Sequence, residues 1–406
     1  MKVIISTGQG RLHLIESAKN LYNHAIDVRV ITGWMPNIPD KLLNIIGRII
    51  GRNNLAYGFK KRKEFPENRI NSCGFSEFFL HFLFIPFPFK LLKKDNALVI
   101  GWKQFGKQSK QYISDAQIFH VRSGAGQGGA INQARKNGMK ILVDHSAAHP
   151  QATYSLLKKA GLKDEDISIN PNSAFWQLIM KDCDQADILL VNSDYVKETF
   201  INNKYDENKM RIAYLGVRED FWNLKDNWDL KSPIRLLFTG NFCFLKGGKL
   251  ILDCLRQLQD IGFDYHLDVV GNINLPIPDW VKNSDNIVFH GHVPQEDIKL
   301  FLKESDIYIF PSYSEGSAQS LKEAMSAGMP VIATRQSGAP IIHLENGYLV
   351  PDNSSEAIKN AILELKENNK LRKKIGAKAA ETIAKEHTWD NYATNVIDIY
   401  KELLKQ

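Results

Sequence analysis

Cysteine is scarce in this chain. Its 406 residues include four, Cys73, Cys183, Cys243 and Cys254, with no Cys-x-x-Cys pair and no histidine partners at metal-ligand spacing. That excludes a disulfide framework and a zinc site, and fits isolated thiols in a reducing cytoplasm. Long apolar runs are lacking too. None reaches the roughly 18–20 residues needed to span a bilayer. No signal peptide is read ahead of "MKVIISTGQG", where the chain enters its first strand at once. The expectation is a cytoplasmic protein without transmembrane segments. No repeat of 20–50 residues and no low-complexity tract breaks the chain.

What is there is alternation. An apolar share of 44% over this length suffices for two domains with sizeable cores. Strand-like stretches "KVIIS", "VRVIT", "ALVIG", "IFHV", "MKILVD", "DILLVN" and "MRIAYL" fill the first 217 residues. Helix-like segments at 12–24, 130–137 and 195–203 lie between them, which predicts a parallel sheet covered by helices. Residues 218–232 are polar and Trp-rich, and the rhythm restarts after them. The predicted organisation is a first α/β domain over 1–217, a linker over 218–232, and a second α/β domain over 233–386. An amphipathic end helix follows over 387–406, with Val396, Ile399, Tyr400, Leu403 and Leu404 on one face.

Residues 36–95 interrupt the first domain. Between Lys41 and Lys63 stand Lys41, Arg48, Arg52, Lys60, Lys61, Arg62 and Lys63, with no acidic residue among them. This local excess matches the whole formal charge of +7. Leu42, Leu43, Ile45, Ile46, Ile49 and Ile50 are interleaved, and the aromatic-rich "FSEFFLHFLFIPFPF" (75–89) follows. The bland reading is ordinary core beside a solvated face. The sharper reading is that Lys41–Phe89 lies on an anionic membrane surface, peripheral on the inner face of the cell membrane. Nucleic acid is not expected, because no binding motif accompanies the charge.

The most telling stretch is "PSYSEGSAQSLKEAMSAGMPVIAT", from Pro311. It follows a short buried strand, "DIYIF", and places Glu315 and Glu323 eight positions apart around a Gly-led helix start. Gly316 permits close approach of a ligand to the backbone. The amides of Ser317, Ser320 and Leu321 then point at an anion, aided by the helix dipole. The Glu323 carboxylate suits both hydroxyls of a ribose as a bidentate acceptor.

This stretch resembles the signature of family 4 of the retaining glycosyltransferases. "LLFTGNFCFLKGG" (236–248), "LDVVG" (267–271), "VFHGHVPQEDIKLFLKESDIYIFPS" and "ENGYLVPDNSSEAIKNAI" match the family in order. The resemblance is continuous from about 234 to 385, and weaker but in register over 1–217. It implies the GT-B architecture: two Rossmann-like parallel-sheet domains facing across a cleft, with the end helix crossing back onto the first. It also implies transfer of a hexose-type sugar from a nucleoside diphosphate to a saccharide or lipid-linked saccharide, in surface polysaccharide or glycolipid assembly.

The resemblance assigns roles residue by residue. Lys246 contacts the diphosphate, with Gly240, Asn241 and Gly247 shaping its turn. Glu315 faces the donor sugar, and the backbone of Val293 pairs with the donor base. From the first domain, Gly10 in "STGQGRLH" passes close to the donor or acceptor. His145 in "DHSAAHP" approaches the reacting sugar, with His149 behind it. No Asp-x-Asp pair sits where a metal-dependent sugar transferase needs one, so neither metal nor cofactor is expected. One departure stands out. Many relatives carry an arginine between the strand-end glycine and Lys-Gly, where this chain has Asn241, Phe242, Cys243, Phe244 and Leu245. Arg11, Arg122 or Arg335 is left to replace it. That loss sustains a second reading, a relative that binds sugar nucleotide or glycan without turnover. A competing motif, "GAGQGG" (124–129) with Asp144 about 20 residues on, fits a dinucleotide fingerprint. It falls too deep in the domain for that, and is read as shaping an acceptor-side loop.

Overall fold

The computed structural model describes residues 1–8, 13–35, 38–39, 41–43, 45, 65–74 and 94–405. Gly10, Arg11, 46–64 and 75–93 lie outside the described residues, including most of the basic and aromatic segment.

Among the described residues, two all-parallel sheets carry the molecule. The first runs β3-β2-β1-β4-β5-β6-β7. Its strands are β1 (Lys2–Gly8), β2 (Asp27–Thr32), β3 (Ile70–Ser72), β4 (Ile118–Arg122), β5 (Lys140–His145), β6 (Ile188–Val191) and β7 (Met210–Ile212). Side chains alternate across a strand, so β1 feeds two cores at once. Ile4 packs with Trp102 and Phe105 on one face, and Val3 and Ile5 pack with Leu14 and Tyr400 on the other. Both faces are covered, as parallel sheets require.

The expected strand at "ALVIG" is a helix instead, α2 (Lys94–Ser109), which follows α1 (His13–Asn23). Ala97, Trp102, Phe105 and Ser109 are buried along it at helical spacing. A short apolar run does not distinguish the two states, and here the wider period decides. The helix lies against the Gly124–Gly129 loop so closely that a Cβ on Gly128 would sit 2.0 Å from Lys103 O. Asp182, on a later helix, accepts from the Gly124 and Gly126 amides and from Gln127. Burial pushes that carboxyl up to about 7 despite these bonds. The glycines therefore serve helix–loop packing, and Asp182 occupies the amides a dinucleotide phosphate would need.

The second sheet runs β10-β9-β8-β11-β12-β13. These are β8 (Ile234–Thr239), β9 (Tyr265–Val270), β10 (Ile287–Gly291), β11 (Ile307–Phe310), β12 (Val331–Thr334) and β13 (Tyr348–Val350). The chain crosses between the domains through Ala213–Val217. Ala213 belongs to the first core, and Val217 and Phe221 belong to the second. Beyond the crossing the chain lies on the second domain, with Asn223 and Lys225 donating to Ser326 O and Ala327 O, each at 2.9 Å.

The end helix, Trp389–Leu403, returns to the first domain. Its buried face holds Tyr392, Val396, Ile399, Tyr400 and Leu403, while Leu404 is exposed. Tyr400 OH and His120 Nδ1 share a hydrogen bond of 2.6 Å, and Tyr392 OH bonds Ser17 Oγ at 3.1 Å.

Candidate functional site

In open parallel sheets, ligands bind beyond the carboxyl ends of the strands, where the strand order reverses. In the second sheet that reversal falls between β8 and β11. The loop after β8 supplies Lys246, and the loop after β11 supplies Glu315. Their side chains meet there, Lys246 Nζ to Glu315 Oε1 at 3.0 Å, and both are partly exposed. Lys246 also lies over the Phe310 ring, 5.4 Å from its centroid.

Glycines hold this corner open. Gly240 has φ +127°, and a Cβ there would approach Lys246 Nζ to 3.7 Å. Gly247, at φ +78°, has the Pro311 carbonyl where a Cβ would go, 2.1 Å away. That contact presses the two loops together. Tyr313 N–H donates to Leu245 O at 2.9 Å, and Ser312 Oγ does so at 3.1 Å. Phe244 stacks on Tyr313 with centroids 5.1 Å apart. Asn241 Oδ1 accepts from Asn274 at 2.9 Å. Val293 lies half-buried in the loop after β10, at the same sheet edge.

The helix after Glu315 begins later than the sequence suggests. It is Gln319–Ser326, with Ala318 as N-cap, so Glu323 stands about one turn into it. The Ala318 N–H is taken by Ser337 O at 2.9 Å. Ser317 precedes the helix, leaving Ser320 and Leu321 in its first turn. Ser320 Oγ donates to Thr239 O at 3.1 Å, which fixes the helix tip to the end of β8. Gly316 has a packing task that the sequence did not show. A Cβ there would meet Ser146 O at 2.0 Å, so the glycine permits contact with the first domain. Ser193 Oγ bonds Gly316 O, and Thr153 and Ser314 share a hydrogen bond of 2.7 Å.

The first domain places His145 at the end of β5, next to Ser146. Its ring is buried, with Nδ1 2.9 Å from Ser123 Oγ and its centroid 5.1 Å from that of Phe200. His149 caps the following helix by accepting from Gln151 N at 3.3 Å, and burial lowers its pKa to about 4. Sequence reasoning missed a network beside them. Asp144 lies 3.4 Å from His13 Nε2 and 3.6 Å from His120 Nε2. Burial alone would raise this carboxyl, but the bonds from His120 and His13 hold it well below the usual range. Of the arginines, Arg122 lies over the Trp102 ring at 4.4 Å. Arg335 pairs with Glu198 of the first domain.

Residues 220–382 match the family described as glycosyl transferases group 1. The second domain belongs to that family. Among curated relatives, the chain is 29% identical over 221 residues to an uncharacterized glycosyltransferase of Methanocaldococcus jannaschii, covering 52% of this chain and 60% of that protein. It is 28% identical over 194 residues to the amylovoran biosynthesis glycosyltransferase AmsK of Erwinia amylovora, covering 45% and 48%. The chain thus spans about half to three fifths of the length of these relatives. Solved structures match end to end. Sucrose-phosphate synthase from Thermosynechococcus elongatus superposes with TM-score 0.70 at 17% identity, over 100% of this chain and 99% of that one. HepE of Anabaena, in complex with UDP, gives 0.61 at 14% identity, over 99% and 100%. At such identities the likeness is one of fold, and the fold is GT-B.

One more residue of this group 1 domain escaped the sequence reading. Lys322 is fully buried on the helix that carries Glu323. Its neighbours in sequence are those of an ordinary amphipathic helix, and only the position of the crossing explains its burial.

Proposed function

We propose that the chain is a retaining glycosyltransferase of family 4, moving a hexose-type sugar from a nucleoside diphosphate to a saccharide or lipid-linked saccharide. The observation that carries this reading is the Lys246–Glu315 pair at the strand-order reversal of a glycosyl transferases group 1 domain. A cation and a carboxylate at one point suit the two ends of the donor. Lys246 meets the diphosphate, which gains negative charge as the sugar leaves. Glu315 accepts from sugar hydroxyls and stabilises the oxocarbenium-like state. In the step itself the bond from C1 to the phosphate oxygen breaks. The acceptor oxygen bonds C1 on the same face and gives its proton to the departing phosphate. Glu323 takes the ribose, the Ser320 and Leu321 amides assist at the phosphates, and Val293 meets the base.

Lys246 and these amides supply the charge compensation, so the reaction is proposed to need no metal. Retained activity in EDTA supports that, and loss restored by manganese or magnesium refutes it. Names of relatives point to polysaccharide assembly, as in amylovoran biosynthesis. The acceptor side fits a lipid-linked saccharide at the inner face of the cell membrane. Lys41, Leu42 and Ile45 are exposed at the edge of the basic segment. Liposome flotation that depends on anionic lipid supports this attachment, and indifference to lipid charge ends it.

The second reading, binding without turnover, is favoured by one observation. Arg122 and Arg335, two of the candidates for the missing arginine, are engaged by Trp102 and Glu198. Transfer and hydrolysis assays with a panel of UDP-, GDP- and ADP-sugars separate the two readings. Product formation supports transfer, and binding without any turnover supports the second.

A further inference from the structure

The helix that carries Glu323 is bonded on its far side to the interdomain crossing. Lys322 Nζ donates to Leu215 O at 2.5 Å, and one turn earlier Gln319 Nε2 donates to Gly216 O at 3.0 Å. Both acceptors belong to the segment by which the chain leaves the first domain. That segment has no slack. Val217 N–H donates to His387 O at 2.9 Å. A Cβ on Gly216 would lie 2.4 Å from Trp389 N, so the outgoing and returning crossings press on each other.

The helix is held elsewhere too. Ser320, beside Gln319 in sequence, is bonded to the end of β8, where Gly240 and Lys246 begin the phosphate turn. Just before the helix, the Ser314–Gly316 loop touches Thr153 and Ser193 of the first domain. One short helix thus links the phosphate turn, the cleft contact and the crossing. A lysine is a costly choice for its rear anchor. An apolar side chain of similar length would fill the site without desolvating an ammonium. The lysine supplies reach and a hydrogen-bond donor to a carbonyl in the crossing.

We propose that Lys322 is a positioning residue which, with Gln319, ties the donor helix to the crossing, so that donor occupancy sets how the two domains meet. This rests on the reading of the second-domain site as a nucleotide-sugar site. Rigid elements with a small number of fixed contacts at a hinge transmit such movements.

The test uses the full chain and the variants Lys322→Met and Gln319→Leu. Donor affinity is measured by calorimetry with the UDP-, GDP- and ADP-sugar panel. Compaction on donor addition is followed by small-angle X-ray scattering, and turnover is measured on the same samples. For Lys322→Met the expected result is donor Kd within about threefold of the parent, loss of compaction, and kcat lower by about tenfold or more. Gln319→Leu should move compaction and kcat in the same direction, and it carries the test should Lys322→Met fail to fold. Unchanged compaction and kcat in the folded variants overturn the proposal. So does a proportional loss of affinity and turnover with compaction retained, or a parent that binds donor without any change in scattering. A parent that binds none of the sugars refutes the donor-site reading itself, an outcome visible before any variant is compared.

Discussion

Lys246 and Glu315 hold each other, ammonium to carboxylate at 3.0 Å. They come from loops after β8 and β11, the two strands between which the sheet order reverses. On the proposed function, a bound diphosphate would replace Glu315 as the partner of Lys246, and sugar hydroxyls would replace Lys246 as the partner of Glu315. A cation that meets developing charge stabilises the transition state more than the bound donor. Lys246→Ala should lower kcat by about a hundredfold while raising donor Kd by less than about tenfold. Single-turnover rates beside calorimetry check this, and a loss confined to binding would reduce Lys246 to a ground-state contact.

Glu323→Ala should act on the other half of the ledger. Its carboxylate is proposed to accept both ribose hydroxyls, and charge-assisted bonds of that kind contribute about 1.5–3 kcal/mol each. Nucleoside diphosphate affinity should fall by about tenfold or more, with kcat at saturating donor changed little. Unchanged calorimetric affinity for the nucleotide would remove Glu323 from the ribose.

Much of the proposed donor site could be placed on the fold because its residues follow buried strands and are punctuated by Gly and Pro. Gly240, Lys246 and Glu315 could be placed at strand ends without coordinates. What stayed hidden depends on contacts distant in sequence. Gly316 shows its packing role only once the Ser146 carbonyl is found where its Cβ would be. Lys322 reads as an exposed helix lysine until the crossing covers it. The histidines of the first domain show the same limit. His145 packs on Phe200, and His120, read merely as part of a strand, joins Asp144 to Tyr400 from the far end of the chain. Ala97–Gly101 failed for a local reason: five residues are too few to separate a strand from one face of a buried helix.

The Tyr400–His120 bond makes the returning helix testable by itself. Both rings are fully buried and the bond is 2.6 Å. Tyr400→Phe keeps the ring and removes the hydroxyl, leaving His120 Nδ1 without that partner. Removing one member of a buried hydrogen bond costs about 1–3 kcal/mol. Urea unfolding should show a loss of that size. A variant as stable as the parent would mean that apolar burial alone docks the end helix.

Lys322 also predicts how stability changes with pH. Burial lowers its pKa from 10.5 to about 7, with the nearby Glu323 carboxylate working the other way. His387, from the returning crossing, also lies near enough to feel its charge. Burial, and then Lys322 itself, lowers that imidazole to about 4, so it stays neutral above pH 7. Between about pH 7 and pH 10.5 the unfolded chain keeps a proton that the folded chain has released. Stability attributable to this lysine therefore rises with pH across that window, by at most about 1.4 kcal/mol per pH unit. Below pH 7 both states hold the proton, and the folded protein bears the full cost of a buried ammonium. Lys322→Met removes the titration, so its stability relative to the parent should be greatest near pH 6 and decline steadily toward pH 10. Urea unfolding of the two proteins at a series of pH values measures the difference, in which the other titrating groups largely cancel. A difference that stays flat from pH 6 to pH 10 would mean that Lys322 remains charged in the folded state.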